Sequence, residues 1–183
     1  MNNAIGIIEF NSIARGINAW DAMMKAATVN MVVSAPVCPG KYVIIISGDV
    51  GAVETSVKTG REMAGRFWIN STVIPNIHPE VIPAMSATVE VPEIQSLGVI
   101  ETYSIVSAIT SADAAVKAAT VKLIEIRIAR GLGGKGFVFL TGDVGAVQSA
   151  VKAAIESATG EDLITESVVI PYPHHSIRER LWS

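Results

Sequence analysis

The sequence predicts an α+β fold built twice, as two tandem domains that each run β-α-β-β-α-β in the ferredoxin-like pattern. Two observations carry this. First, Gly48-Asp49-Val50-Gly51-Ala52-Val53 returns letter for letter as Gly142-Asp143-Val144-Gly145-Ala146-Val147, and Lys25-Ala26-Ala27-Thr28-Val29 returns as Lys117-Ala118-Ala119-Thr120-Val121. Second, strand-like and helix-like apolar periodicities follow each other in the same order around both sets of repeats. A period of about half of the 183 residues means two copies of one domain, because solenoid units are far shorter. The expected bounds are a first domain over 1–83, a linker over 84–96 and a second domain over 97–183.

In the first copy, Ala4 to Phe10 reads as a buried strand. Ser12 is placed to cap the following helix, and Ile13, Ile17, Trp20 and Met24 fall on one helical face, taken as the inner one. Val29 to Val33 is rich in β-branched residues and reads as the second strand. Two prolines and a glycine make Pro36-Val37-Cys38-Pro39-Gly40 a loop, and Lys41 to Ser47 is the third strand. Asp49 stands where its carboxylate can accept from the free N–H groups of the second helix. That helix turns Val53, Val57, Gly60 and Ala64 inward. Phe67 to Ile74 is the fourth strand, ended by Pro75.

The second copy repeats this order. Leu97 to Glu101 is its first strand, and Ile105, Ile109, Ala112 and Val116 restate the first helix at an offset of 92. The offset grows to 94 through Arg130-Gly131-Leu132-Gly133-Gly134-Lys135-Gly136, the loop matching that of Cys38. Val147, Val151, Ala154 and Ala158 restate the second helix, and Val169-Ile170-Pro171 restates Val73-Ile74-Pro75 at an offset of 96. The linker, with Pro92, is mostly small or polar. From His174 to Ser183 the tail can form one short helix carrying Ile177, Leu181 and Trp182.

Composition narrows the function. Half of the residues are hydrophobic and 17% are charged, a surplus of apolar side chains for domains this small, which implies large contacts between subunits. No run of about 18 uncharged apolar residues offers a membrane span, and no secretory signal is expected. One cysteine excludes an intramolecular disulfide and fits a reducing compartment. A net charge of −3 without a basic cluster argues against nucleic acid.

Repeats also act as an internal control, since features present twice are structural and features present once are open to specialisation. Glu9 and Glu101 end the same strand in each copy and therefore read as structural, not as an acid–base pair. Asp21 with Lys25, and Asp113 with Lys117, are i,i+4 pairs on helix surfaces. His78 and His174 follow proline-marked strand ends and suit turn or edge roles better than metal binding. The glycine-rich loop lacks phosphate-loop spacing and leads into a strand. No catalytic constellation emerges. Cys38 is the exception: it sits in one copy only, on a Pro-Val-Cys-Pro-Gly turn that presents a side chain. It is either an inert packing thiol or one ligand of a site completed by symmetry, because a single thiolate cannot hold zinc or an iron–sulfur cluster.

Taken together, Ala4-Ile5-Gly6-Ile7-Ile8-Glu9, Asp21 to Ala27, Gly48 to Val53 and Val73-Ile74-Pro75 with His78 resemble the signature of bacterial microcompartment shell domains. The tandem arrangement resembles the trimeric class of those proteins, and the pair of loops resembles its propanediol-utilization type. The resemblance implies a homotrimer that mimics a flat hexamer. Around its central pore would lie Val37, Cys38, Pro39, Gly131, Leu132, Gly133 and Gly134. It implies one [4Fe–4S] cluster per trimer, held by Cys38 of each subunit, for electron transfer across the shell or delivery of clusters. Tile-edge contacts would fall to Lys25, Lys117, His78 and His174. They would also fall to Asn76 and Tyr172, which stand where many relatives carry an arginine whose forked donors neither residue reproduces. The partners implied are other shell proteins and an enclosed redox enzyme, with no nucleic acid and no membrane, in a cytoplasmic microcompartment and without enzymatic activity. Two other readings are a plain metabolite pore, and a soluble ferredoxin-like small-molecule sensor.

Overall fold

A computed structural model describes residues 4–86, 88–90, 93–128, 131, 133–158 and 164–180, without the side chains of Arg178 and Arg180. Leu132, and with it one expected pore residue, lies outside the described residues, as do Arg130, Pro92, Leu181 and Trp182.

The first unit contains β1 (Ala4–Phe10), α1 (Ile13–Ala26), β2 (Asn30–Val37), β3 (Lys41–Gly48), α2 (Val50–Ala64) and β4 (Trp68–Ile74), with a 3-10 turn at Gly65–Phe67. The chain continues through the short α3 (Val81–Met85). Then come β5 (Ser96–Thr102), α4 (Ile105–Ala118), β6 (Lys122–Ile128), β7 (Gly136–Gly142), α5 (Val144–Ser157), β8 (Ile164–Pro171) and α6 (His175–Arg180). Each unit has one antiparallel four-stranded sheet, ordered β2-β3-β1-β4 in the first and β6-β7-β5-β8 in the second. This is the ferredoxin-like order that the repeat predicts. By contact, His78 onward groups with the second unit, so that residues 78–83, given above to the first domain, pack with α4 and β6.

The first core lies between its sheet and the two helices, from Ile8, Phe10, Ile44 and Ile46 on strands to Met23, Val53 and Val57 on helices. Gly6 and Gly98, equivalent positions on β1 and β5, let the second helix of each unit approach closely. A Cβ on Gly6 would lie 2.5 Å from Val57 Cγ2, and one on Gly98 would lie 2.9 Å from Val147 Cγ1. In the second unit a further cluster joins Ile94, Leu97, Ile124 and Phe139, and Ile177 of α6 packs against it.

Three expectations need correction. α1 buries Gly16, Ala19 and Met23, while Ile13, Ile17, Trp20 and Met24 are 37–48% exposed. The small residues face inward because there is no room for larger ones: a Cβ on Gly16 would lie 2.5 Å from the Tyr42 ring. In α4 the matching stripe, Ile105, Ile109, Ala112 and Val116, is buried as expected. Pro36 belongs to β2, not to a loop, and pairs with Tyr42. β2 is an edge strand, where proline's missing N–H costs no ladder bond. Asp49 and Asp143 hold the N-cap positions of α2 and α5 without a side-chain cap hydrogen bond. What remains is the favourable placement of a negative charge at the positive end of each helix. Ser12 does cap α1, accepting from Arg15 N at 3.3 Å.

Candidate functional site

Since Val37 pairs with Lys41, the connection between β2 and β3 shrinks to Cys38-Pro39-Gly40. Gly40 has φ +77°, in the left-handed region that a glycine enters without strain, and the Cys38–Pro39 peptide is cis. The Val37 side chain is buried, Cys38 is half-buried, and Pro39 and Gly40 are exposed. The hairpin tip therefore presents one thiol partly to solvent, with its backbone fixed on both sides by ladder bonds.

In the matching loop, Gly131, Gly133 and Gly134 all have positive φ, at +74°, +62° and +93°. These three glycines group by contact with the first unit. A Cβ on Gly134 would stand 3.2 Å from Pro39 Cδ and 3.3 Å from the Cys38 carbonyl oxygen, so this glycine keeps the place beside the thiol loop open. No group of three His, Cys, Asp or Glu side chains able to hold a metal occurs among the described residues. One chain thus offers one thiol, on a rigid tip and beside bare backbone.

Beneath each loop lies an ion pair that pattern reading missed. Lys41 Nζ is 3.6 Å from Glu9 Oε2, whose side chain is buried, and Lys135 Nζ is 2.6 Å from Glu101 Oε1. Lys41 opens β3 and Lys135 immediately precedes β7, and each stands two residues from the glutamate's partner (Val43 and Phe137), a diagonal contact between adjacent strands. The hydrogen bond to Glu101 holds the Lys135 ammonium's pKa above its ordinary value; partial loss of water opposes the rise, and the charges of Glu101 and Tyr103 add to it. The clue was available: lysines stand at offset 94 and glutamates at offset 92.

The edge residues divide between the units. Lys25 Nζ meets Asp21 Oδ2 at 2.6 Å with both side chains exposed. Lys117 Nζ meets Asp113 Oδ2 at 2.5 Å, but Asp113 is only 6% exposed and its Oδ1 accepts from His78 N at 2.8 Å. Glu80 Oε2 also accepts from Leu123 N at 2.9 Å, so the His78–Glu80 stretch is tied to α4 and β6. A hollow of about 400 Å³ is lined by His78, Glu80 and residues 116–121. Asn76 and Tyr172 share a positive φ (+53° and +47°), a conformation natural to asparagine and uncommon for tyrosine. Tyr172 and His174 are exposed. No helix among the described residues is long and apolar enough to cross a membrane.

Comparison with known proteins agrees with this architecture. A family model described as the BMC domain matches residues 4–77 and 96–173. The chain is 46% identical over 177 residues to the bacterial microcompartment shell protein PduT of Citrobacter freundii, covering 97% of this chain and 96% of that protein. Over 88 residues it is 38% identical to the carboxysome shell protein CsoS1 of Prochlorococcus marinus, covering 46% of this chain and 85% of the relative. A crystal structure of a microcompartments protein from Desulfitobacterium hafniense DCB superimposes with a TM-score of 0.90 at 48% identity, covering 98% of this chain and 99% of that one. A fused permuted hexameric shell protein from the RMM microcompartment shares the fold, with a TM-score of 0.64 at 20% identity over 85% of this chain and 80% of that one. Two matched domains, and near full-length identity to a shell protein, place this chain in the BMC-domain family as a tandem bacterial microcompartment shell protein similar to PduT.

Proposed function

We propose that three of these chains close into a homotrimeric, pseudohexameric tile of a microcompartment wall, and that Cys38 of each chain holds one shared [4Fe–4S] cluster at the threefold axis. The observation that carries the reading is the asymmetry of the two loops. One presents a single half-exposed thiol on a fixed hairpin tip, and the other presents glycines that leave room beside it. Three Cys38 thiolates, one from each chain, would hold the cluster. The bound cluster supplies one-electron transfer, and its place in the wall suits passage of electrons to an enclosed redox enzyme. The residues of this chain fix the thiol, exclude bulk side chains and keep the loop bases rigid through the Glu9–Lys41 and Glu101–Lys135 pairs. The tile acts without catalysis, alongside other shell proteins.

Ring formation is supported by the exposed stripe Ile13, Ile17, Trp20 and Met24, an apolar helix face of the kind that subunit contacts cover. A second reading, a plain metabolite pore, is favoured by the three positive-φ glycines, whose bare backbone groups can line a channel. Anaerobic purification separates the two. The cluster reading expects brown protein with iron and acid-labile sulfide, and loss of both in Cys38→Ser with the trimer retained. Protein that stays colourless and free of iron after reconstitution supports the plain pore.

A further inference from the structure

Asp21 of α1 and Asp113 of α4 are equivalent residues in unlike situations. Asp113 is buried and bonded at both oxygens, to the His78 N–H and to Lys117. Among the described residues, Asp21 has one polar partner, Lys25, and is exposed. The stretch that satisfies Asp113 has a defined shape. It follows the positive-φ residue Asn76, Val81 N donates to the His78 carbonyl at 3.0 Å, and Glu80 N donates to His78 Nδ1 at 3.4 Å.

That shape recurs, unused, near the end of the chain. After the positive-φ residue Tyr172, Ile177 N donates to the His174 carbonyl at 2.9 Å, and Ser176 N donates to His174 Nδ1 at 3.3 Å. His174 is exposed, and among the described residues its N–H meets no acceptor. One chain thus carries a joined pair, His78 with Asp113, and both unjoined halves of a second pair, His174 and Asp21. The free acceptor lies one helical turn from Ile17 and three residues from Met24, within the exposed apolar stripe.

We infer that the His174–Ile177 turn of one chain seats on α1 of the next, the His174 N–H donating to Asp21 Oδ1 as His78 donates to Asp113. The occupant is a second copy of this chain, because this chain itself carries the preshaped donor turn. Joining unlike halves head to tail is a heterologous contact, which closes as a ring when the rotation allows. The inference rests on the ring-forming reading above and supplies its register.

Cysteine pairs test it in a Cys38→Ser background. His78→Cys with Asp113→Cys should form a disulfide within one chain. Asp21→Cys with His174→Cys should join chains on oxidation, giving denatured species of two and three chains and none longer. Free thiols at these two positions, in protein that elutes as a trimer, overturn the junction and leave the ring. Protein of one-chain mass overturns both, and covalent ladders beyond three chains uphold the junction and overturn the closed trimer. A milder variant guards against misfolding: Asp21→Ala should raise the concentration for half-dissociation roughly thirtyfold, because each of the three junctions loses a hydrogen bond to a charged group worth about tenfold. It should do so with the unit's fold unchanged in circular dichroism, and an unchanged dissociation midpoint overturns the junction.

Discussion

α1 and α4 are the same helix twice, yet one wears its large apolar side chains outside and the other buries them. Both have 14 residues, both follow a serine whose side chain accepts from the third residue on, and both end with a lysine paired to an aspartate. In α1 the inward positions are Gly16, Ala19 and Met23, and the stripe from Ile13 to Met24 faces solvent. In α4 the inward positions Ala108, Ser111 and Ala115 and the stripe from Ile105 to Val116 are all buried. A helix apolar over so much of its surface belongs where it is covered on several sides. Equal periodicity therefore fixes which residues share a face and leaves open what that face meets. In the proposed ring, this bare face is where the next chain would sit.

The largest expected contrast comes from one substitution made on each helix. Ile109→Asp places an unpaired carboxylate at a fully buried site, a cost of several kcal/mol that should abolish cooperative folding. Ile17→Asp touches an exposed site and should leave the thermal melt of the separate chain intact while the trimer is lost in sedimentation. Equal loss of folding in both variants would break the comparison. A smaller effect sharpens it at the sheet. Gly98→Ala drives a methyl into Val147 and Leu140 and should cost about 1–3 kcal/mol in denaturant unfolding. Gly145→Ala meets nothing within 4 Å and should be neutral or slightly stabilising.

The smallest effect concerns pH. The Lys135 ammonium titrates higher in the folded chain than in the unfolded one. Its contribution is thus complete below the ordinary lysine value and is lost as pH rises through the raised one. The pair is partly exposed, so the slope is slight. Lys135→Met should flatten the alkaline limb of stability against pH, and a limb unchanged by the substitution would remove the pair from the account.

Much of this was legible from residues alone. The duplicated Gly-Asp-Val-Gly-Ala-Val, with strand and helix periods around it, was enough for the order of elements and the antiparallel sheets. Cys38 stood out because its counterpart loop has no thiol. What escaped notice depended on contacts remote in sequence. Pro36 reads as a strand breaker until β2 is known to be an edge. Glu9 and Lys41 are 32 residues apart and meet only through the β1–β3 register. Asp113 looks like Asp21 until His78 is seen bonded to it. Nor does any local pattern separate a face that meets the sheet from one left exposed on the single chain, as the α1 stripe is.

Native mass spectrometry of anaerobically prepared protein tests the central claim most directly, since it weighs the ring and its cargo together. The account predicts a single species of three chains plus four irons and four sulfides, which collapses to three bare chains in Cys38→Ser. Three bare chains in the unaltered protein after iron and sulfide reconstitution, or a mass of one chain, would contradict it.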